Sequence, residues 1–105
     1  MKIAAVIPAY NEEKNIGRVL APLRECPDLS QVIVVSDGST DQTAAVARRM
    51  GAAVIEIPEN KGKGAAVMAG VAATTAEVIL LLDADLIGLT AKHVKDLLAP
   101  IFTQQ

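Results

Sequence analysis

The sequence VILLLDADLIG (residues 78–88) decides the fold prediction, because five apolar residues run directly into two closely spaced aspartates. A continuous apolar run without polar alternation is typical of a strand covered on both faces of a parallel sheet. Asp83 and Asp85 would then stand where such a strand leaves the sheet. The run therefore predicts a strand buried on both faces whose carboxyl end carries two acidic side chains.

Three further apolar runs precede this one, and helical patterns alternate with them. The four runs are KIAAVIP (residues 2–8), QVIVVS (31–36), AAVIEIP (52–58) and EVILLLD (77–83). Strands and helices that alternate along a chain, joined by right-handed crossovers, build doubly wound folds. The sequence therefore predicts an α/β fold with a mostly parallel, doubly wound sheet.

Four helices are predicted from apolar residues spaced three and four apart. Asn11 is the expected N-cap of the first helix. Ser39 and Gln42 are interpreted as a capping box for the second helix, and Gly51 is expected to end it. Pro100 is expected to end the regular part of the fourth helix. The predicted apolar faces comprise Ile16, Val19, Leu20 and Leu23; Thr43, Val46, Ala47 and Met50; Val67, Met68, Val71 and Ala72; and Val94, Leu97, Leu98 and Ile101.

Composition limits the class of protein. The 105 residues are enough for one small domain, and 51% hydrophobic with 21% charged residues is a globular balance. A net charge of −2 without a Lys/Arg run argues against nucleic-acid binding. No apolar run approaches the roughly 18 residues of a membrane span. The single Cys26 has no partner for an internal disulfide, which fits a cytoplasmic location.

The unusual polar residues and glycines follow the predicted strands. These segments are PAYNEE (residues 8–13), SDGSTD (36–41), PENKGKG (58–64) and DADLIG (83–88). Ligands of open parallel sheets bind beyond the carboxyl ends of the strands. Because four separate loops would meet at this one edge, we expect a binding site there.

Three of these loops allow both a binding and a purely structural interpretation. Tyr10 could stack on a planar base, or it could cover the end of the sheet half-buried. Asp37 could accept a hydrogen bond from a base N–H, while Asp-Gly is also a common turn pair. Lys61 and Lys63 alternate with glycines at a predicted helix start, which suits a phosphate or a solvated basic turn.

Asp83 and Asp85 are the sharpest chemical feature. Side chains two residues apart on a strand point to the same side, and two like charges so close favour a cation beside them. Carboxylate oxygens suit Mg²⁺ or Mn²⁺, which also bind phosphates. The alternative is a strand that runs into solvent with both carboxylates hydrated. His93 and Cys26 have no neighbouring ligands in the sequence, so no zinc site is predicted.

Taken in order, these loops resemble family-2 glycosyltransferases of the GT-A fold. The segments that carry the resemblance are VIPAYNEEKNIGRVL, VIVVSDGSTDQTAAVA, NKGKGAAVMAGV and VILLLDADL, and they cover nearly the whole chain. Within the family the sequence is most similar to polyprenyl-phosphate sugar transferases and glucosyl-phosphoglycerate synthase-like enzymes. The resemblance implies inverting transfer from a UDP- or GDP-linked sugar donor, with Mg²⁺ or Mn²⁺.

The resemblance also implies roles for individual residues. The first loop would bind the nucleoside, Asp37 would contact the base, and Lys63 would lie on the donor side. Ser36 stands where many members carry another aspartate. The aspartates match the DxD motif, in which Asp83 would approach the ribose or sugar and Asp85 the metal. The implied donor-binding residues are Pro8, Ala9, Tyr10, Glu12, Asp37, Lys63, Asp83 and Asp85.

In this family the catalytic base comes from the second half of the domain, so no base is assigned here. We therefore expect residues 1–105 to be the N-terminal, nucleotide-sugar-binding part of a glycosyltransferase domain, apparently truncated. Such a part would expose a sheet edge and apolar surface, which predicts a homo-oligomer. The alternative is a non-catalytic nucleotide-sugar-binding or oligomerisation fragment.

Overall fold

The computed structural model describes the backbone of residues 1–103 and the side chains of residues 1–101. Strands and helices alternate as predicted, which confirms the α/β fold. The elements are β1 (Ile3–Ala9), α1 (Ile16–Arg24), β2 (Gln31–Asp37), α2 (Thr43–Arg49), β3 (Ala53–Ile57), α3 (Lys63–Ala72), β4 (Val78–Leu81) and α4 (Ala91–Thr103). Within the described residues, no helix is long and apolar enough to cross a membrane.

The four strands form one parallel sheet in the order β3-β2-β1-β4. The chain builds outward from β1 to β3 and then returns to place β4 on the other side of β1. This reversal makes the β1–β4 boundary a topological switch point. At such a boundary the loops at the carboxyl ends of the strands separate and leave a crevice for a ligand.

Both faces of the sheet are covered, as the doubly wound prediction requires. On one face the larger core joins side chains of β1, α1 and α4, among them Ile7, Leu20 and Leu98. On the other face a smaller core of Val6, Ile33, Val35 and Ala66 lies beneath α3. Neighbouring β1 residues alternate between the two cores, because successive side chains of a strand point to opposite faces.

Helix α3 packs on the sheet through its smallest residues rather than through its largest. Ala66 is fully buried, whereas Met68 of the predicted apolar face is 67% exposed. A Cβ atom added at Gly70 would lie 2.4 Å from Cγ1 of Val6 and 3.2 Å from Cγ2 of Val35. The predicted face is therefore wrong, because the valines of the sheet leave room only for alanine and glycine.

Strand β4 departs from the prediction of burial on both faces. It is an edge strand, and within the described part of the chain it pairs with β1 alone. Val78 and Leu80 are half-buried against the larger core, while Leu81 is 53% exposed. The apolar run predicted the strand correctly. It gave no information on strand order, which places β4 at the edge of the sheet.

Helix ends show which predicted caps are correct. Helix α1 begins at Ile16 with Asn15 at the N-cap position, so the prediction of Asn11 as N-cap is wrong. Gln42 occupies the N-cap position of α2 but makes no side-chain capping bond, so the predicted capping box is absent. Gly51 follows the end of α2 with φ +89°, which confirms it as the stop.

Helix α4 continues through Pro100 to Thr103, so the predicted end before this proline is wrong. Proline removes one backbone hydrogen-bond donor, here only a few residues from the end of the helix. Ile101, in the turn that follows, is partly buried against the larger core. This packing favours continuation of the helical backbone past the proline.

Candidate functional site

The structure brings all eight sequence-predicted site residues to the wall of one cleft. The cleft has a volume of about 370 Å³, a size common for small-molecule sites. It opens at the carboxyl edge of the sheet, at the switch point between β1 and β4. The eight residues are Pro8, Ala9, Tyr10, Glu12, Asp37, Lys63, Asp83 and Asp85.

The order of the elements explains how distant residues meet in this cleft. Ala9 is the last residue of β1, Asp37 is the last of β2, and Lys63 is the first of α3. Asp83 follows β4 by two residues. Because all strands run in the same direction, their carboxyl ends lie side by side, and residues next to them share one surface.

Asp37 is buried, with 3% of its surface exposed. Its Oδ1 accepts a hydrogen bond from the backbone N–H of Lys61 at 2.8 Å, and its Oδ2 accepts one from Gly62 at 2.9 Å. The side-chain Nδ2 of Asn60 donates to the backbone oxygen of Asp37 at 3.2 Å. The carboxylate thus fixes the loop before α3. Its remaining lone pairs can still accept a hydrogen bond from a ligand.

Gly38 allows this loop to approach β2 closely. Its φ of +71° lies in the left-handed region, and an added Cβ would stand 2.3 Å from the backbone nitrogen of Asn60. Because the obstructing atoms belong to the backbone, they cannot rotate away. Glycine is thus required at position 38 by conformation and by space.

The first two loops are joined by a set of hydrogen bonds that we call the loop clamp, formed by residues 11–13 and 39–43. Asn11, at φ 51°, receives the Thr40 N–H on its Oδ1 at 2.8 Å. The clamp also includes Asn11 N–H to Ser39 Oγ at 3.0 Å, Glu12 N–H to Thr43 Oγ1 at 2.9 Å, and Glu13 N–H to Asp41 Oδ2 at 3.3 Å. Asn11 and Ser39 therefore connect loops rather than cap helices.

Asp41 takes part in the loop clamp through its charged side chain. Its Oδ1 receives hydrogen bonds from the N–H of Thr43 at 2.9 Å and from the Thr43 hydroxyl. Burial by itself would raise the pKa of Asp41, but the hydrogen bonds from Thr43 and Glu13 together hold that pKa below its ordinary value. The carboxylate is thus matched to donors that favour its ionised form.

The clamp positions the residues of the first loop that face the cleft. Tyr10 is 51% exposed, so its ring does not serve as a half-buried cover for the sheet. Glu12 is half-buried, and its carboxylate is 3.5 Å from Nδ2 of Asn15. The aromatic face of Tyr10 is available for a planar ligand, while the backbone beside it is fixed by Thr43.

Their spacing predicts that Asp83 and Asp85 lie on the strand itself. The structure instead places both in the turn after β4. They nevertheless line the same cleft, with the buried Ala84 between them. The Nζ of Lys63 forms an ion pair with Oδ1 of Asp83 at 2.5 Å. The hydrogen bond and charge of Asp83, with a smaller effect of Asp85, raise the pKa of Lys63 above its ordinary value.

The donor set of this acidic pair fits one particular kind of metal site. Within the described residues, no group of three or more His, Cys, Asp or Glu side chains is placed to hold a metal ion. Mg²⁺ and similar ions are often held by one or two carboxylates and complete their coordination with phosphate oxygens and water. Asp83 and Asp85 therefore suit a metal that binds together with a diphosphate.

Four residues that line the cleft are not among the eight predicted donor-binding residues. They are Asn60, Gly62, Ala66 and Ala84. Asn60 and Gly62 flank Lys61 in the glycine-rich loop, so proximity in sequence could have indicated them. Ala66 lies one helical turn after Lys63, and its small size keeps the cleft open beside α3.

The sequence profile of glycosyl transferase family 2 matches residues 4–103, a segment that contains every residue lining the cleft. The chain belongs to this family. The resemblance predicted from the four loops is thereby confirmed. Glucosyl-3-phosphoglycerate synthase of Mycolicibacterium smegmatis is 34% identical over 110 residues, which cover 96% of this chain. Dolichyl-phosphate hexose transferase of Haloferax volcanii is 45% identical over 83 residues, or 79% of this chain.

Solved structures of family members share the fold of this chain. Glucosyl-3-phosphoglycerate synthase from Mycobacterium tuberculosis, in complex with Mn²⁺, UDP and glucosyl-3-phosphoglycerate, matches it with a TM-score of 0.86 and 32% identity. That match covers 97% of this chain and 40% of the synthase chain. The chain also spans 36% of the length of each of the two curated relatives.

Proposed function

We propose that this chain is the donor-binding part of an inverting glycosyltransferase that uses a nucleotide-diphospho-sugar. The observation that carries the proposal is that all eight residues implied by the family resemblance line one cleft. Similar proteins support a UDP-linked donor with a divalent metal, since the synthase of M. tuberculosis was solved with UDP-glucose and Mn²⁺.

The two sides of the cleft suggest how a donor is oriented. The base would lie beside Tyr10, which can stack on it, and Asp37, whose free lone pairs can accept a base N–H. The diphosphate would lie beside Lys63 and the acidic pair. Asp83 and Asp85 would hold the metal, which when bound offsets the negative charge of the leaving diphosphate.

In the proposed reaction, the oxygen of an acceptor hydroxyl forms a bond to the anomeric carbon from the face opposite the diphosphate. The bond between that carbon and the diphosphate oxygen breaks, and its electron pair leaves with the nucleoside diphosphate. The hydroxyl proton passes to a general base. This part of the domain contributes donor orientation and stabilisation of the leaving group, while the base and the acceptor site belong to the remainder of the transferase.

A second candidate function is binding of the donor without transfer. One observation supports it. Each acidic side chain lining the cleft already has a proposed binding role, so none of them is assigned as the general base that transfer requires. Glu12 belongs to the nucleoside loop, Asp37 fixes the loop before α3, and Asp83 and Asp85 form the acidic pair. A transfer assay with the remainder of the transferase present distinguishes the two candidates, because under both of them this chain alone is expected only to bind the donor.

We further propose that the chain self-associates and acts in the cytoplasm. Among residues 1–103, no strand pairs with the outer edge of β4, and Leu81 at the end of this strand is 53% exposed, a combination that favours strand addition. The free thiol of Cys26 fits a reducing compartment. Elution at the monomer mass in gel filtration would contradict self-association.

The decisive experiment is isothermal titration with UDP, GDP and UDP-glucose, each with and without Mn²⁺. We expect binding that requires the metal and that falls about tenfold or more in Asp85→Ala, since a charged ligand contact contributes about 1.5–3 kcal/mol. Asp28→Ala removes an exposed carboxylate outside the cleft and should leave affinity unchanged. Absence of binding at millimolar nucleotide would overturn the proposed function.

A further inference from the structure

The ion pair between Lys63 and Asp83 joins two separate elements that line the cleft. Lys63 is the first residue of α3, and Asp83 lies in the turn after β4. The ammonium thus occupies the carboxylate that a metal would share with Asp85. Both side chains of the pair are largely exposed, at 68% and 52%, so neither is held in place by packing. The ammonium can therefore leave Asp83 without disturbing the fold.

Asp85 differs from Asp83 in having no such partner. Within the described part of the chain, its carboxylate makes no hydrogen bond or salt bridge, although its charge contributes to the raised pKa of Lys63. The ammonium therefore balances the negative charge of the acidic pair mainly through one of its two carboxylates. A divalent ion arriving alone would have to share Asp83 with a like charge or displace it.

We propose that Lys63 is an exchangeable counter-ion that makes metal binding depend on the diphosphate. Without a ligand, its ammonium stays on Asp83 and weakens the binding of a free divalent ion. When a metal–diphosphate complex enters, the ammonium moves from Asp83 to a diphosphate oxygen, and the metal takes its place beside the carboxylates. This inference, which rests on the proposed function, means that metal and donor enter as one complex.

The geometry of Lys63 permits this exchange. Its flexible four-carbon stem lets the ammonium change partners without a backbone movement. Lys63 also stands in the first turn of α3, a ten-residue helix, where the positive end of the helix favours a phosphate. An exposed ion pair contributes little stability of its own, so its loss is readily offset by a new pair with the diphosphate.

Two titrations test the exchange, each performed on the full chain and on Lys63→Met. The first measures MnCl₂ binding without nucleotide, by the electron paramagnetic resonance signal of free Mn²⁺. The second measures UDP binding at saturating Mn²⁺ by calorimetry. Lys61→Met is the matched control, because it removes the same charge only two residues earlier in the chain, at a side chain outside the cleft lining.

The exchange predicts opposite signs in the two titrations. We expect Lys63→Met to bind Mn²⁺ alone about threefold more tightly, as for release of an exposed ion pair. We expect the same variant to bind UDP with Mn²⁺ about tenfold more weakly, as for loss of a charge-assisted hydrogen bond. Lys61→Met should change both affinities by less than about twofold, because exposed charges are screened by salt.

Each other outcome has a distinct meaning. If Lys63→Met weakens UDP binding but leaves free Mn²⁺ binding unchanged, Lys63 is a donor ligand only and the exchange is overturned. UDP binding that the variant leaves unchanged would also overturn this inference, while the proposed function would stand. If neither protein binds UDP, the proposed function fails and this inference fails with it.

Discussion

The two sides of the cleft are built in different ways. On the β2 side, Asp37 is buried with both carboxylate oxygens on backbone N–H groups, and the loop clamp ties the first two loops together. On the β4 side, a single exposed ion pair joins Lys63 to a turn that follows an edge strand. One side is therefore fixed before a ligand arrives, and the other can change its partners.

This difference matches the chemistry that each side would handle. A planar base needs hydrogen-bonding groups and an aromatic face at set positions, and preorganised groups provide them at low entropic cost. A diphosphate with a metal brings its own charges, so the side that receives it benefits from groups that can be exchanged. Mutations on the two sides should accordingly have different effects.

Gly38→Ala should cause the largest loss of stability, because it breaks the fixed side. The added Cβ would lie 2.3 Å from the backbone nitrogen of Asn60, and φ is +71°. Backbone strain and the clash together should lower the free energy of unfolding by about 3 kcal/mol. Urea denaturation measures this loss.

Gly51→Ala is the control for Gly38→Ala, because Gly51 has φ +89° with nothing within 4 Å of an added Cβ. It isolates the cost of backbone conformation, about 1–2 kcal/mol. Equal losses in the two variants would show that the close approach of the loop at Asn60 contributes nothing.

Asp37→Asn should be the next most harmful change. The amide group offers one acceptor oxygen in place of two, and its NH₂ faces a backbone N–H of Lys61 or Gly62. An unsatisfied buried donor should lower the free energy of unfolding by about 2 kcal/mol and loosen the loop before α3. Urea denaturation and amide hydrogen exchange at Gly62 measure the two effects.

The control for Asp37→Asn is Asp28→Asn, at an exposed site, which should leave both measurements at the wild-type level. A stable Asp37→Asn variant with unchanged exchange at Gly62 would contradict the positioning role of this carboxylate.

Thr43→Val tests the loop clamp at its buried centre. Thr43 is fully buried, and valine has nearly the same shape but can neither accept the Glu12 N–H nor donate to Asp41. The free energy of unfolding should fall by about 1–2 kcal/mol. Thr40→Val, at an exposed clamp residue, is the control and should cost less. Equal costs would contradict the idea that the buried hydroxyl is the centre of the clamp.

The same variant should change the response to acid. Because the folded pKa of Asp41 is lowered, the ionised carboxylate stabilises the fold at pH values above the ordinary pKa that this group has in the unfolded chain. That stabilisation is lost as the pH falls through the lower folded value. Unfolding curves between pH 5 and 2 should therefore show a smaller acid-induced loss in Thr43→Val than in the wild type. Parallel pH profiles would contradict this linkage.

Lys63→Met should have the smallest effect on stability. The ion pair is exposed on both sides, so the urea midpoint should stay at the wild-type value while the Mn²⁺ and UDP affinities change. A lowered midpoint would mean that the β4 side is fixed as firmly as the β2 side. The contrast between the two sides of the cleft would then be lost.

The fold was predictable because the apolar runs that form strands alternate along the sequence with helical patterns. The order of the strands in the sheet does not follow from this alternation, so the edge position of β4 and the exposure of Leu81 could not be predicted. The buried face of α3 was missed for a related reason. It depends on Val6 and Val35, residues far away in the sequence that accept only Ala66 and Gly70 at close range.

The site residues were predictable because each follows a strand or begins a helix at one edge of the sheet. The hydrogen-bond partners of those residues were not predictable. Asp37 accepts hydrogen bonds from backbone groups 24 and 25 residues further along the chain, and no side-chain pattern marks a backbone N–H as a donor. The roles of Asn11 and Ser39 were misread in the same way, since both residue types are common helix caps.

The loop clamp has a consequence for protein engineering. Residues 11–13 and 39–43 hold each other through reciprocal hydrogen bonds, so neither loop keeps its shape without the other. If only one of them were transplanted into a related transferase, it would lack the hydrogen-bond partners that the other loop supplies. A graft intended to exchange base preference between family members must move both segments together.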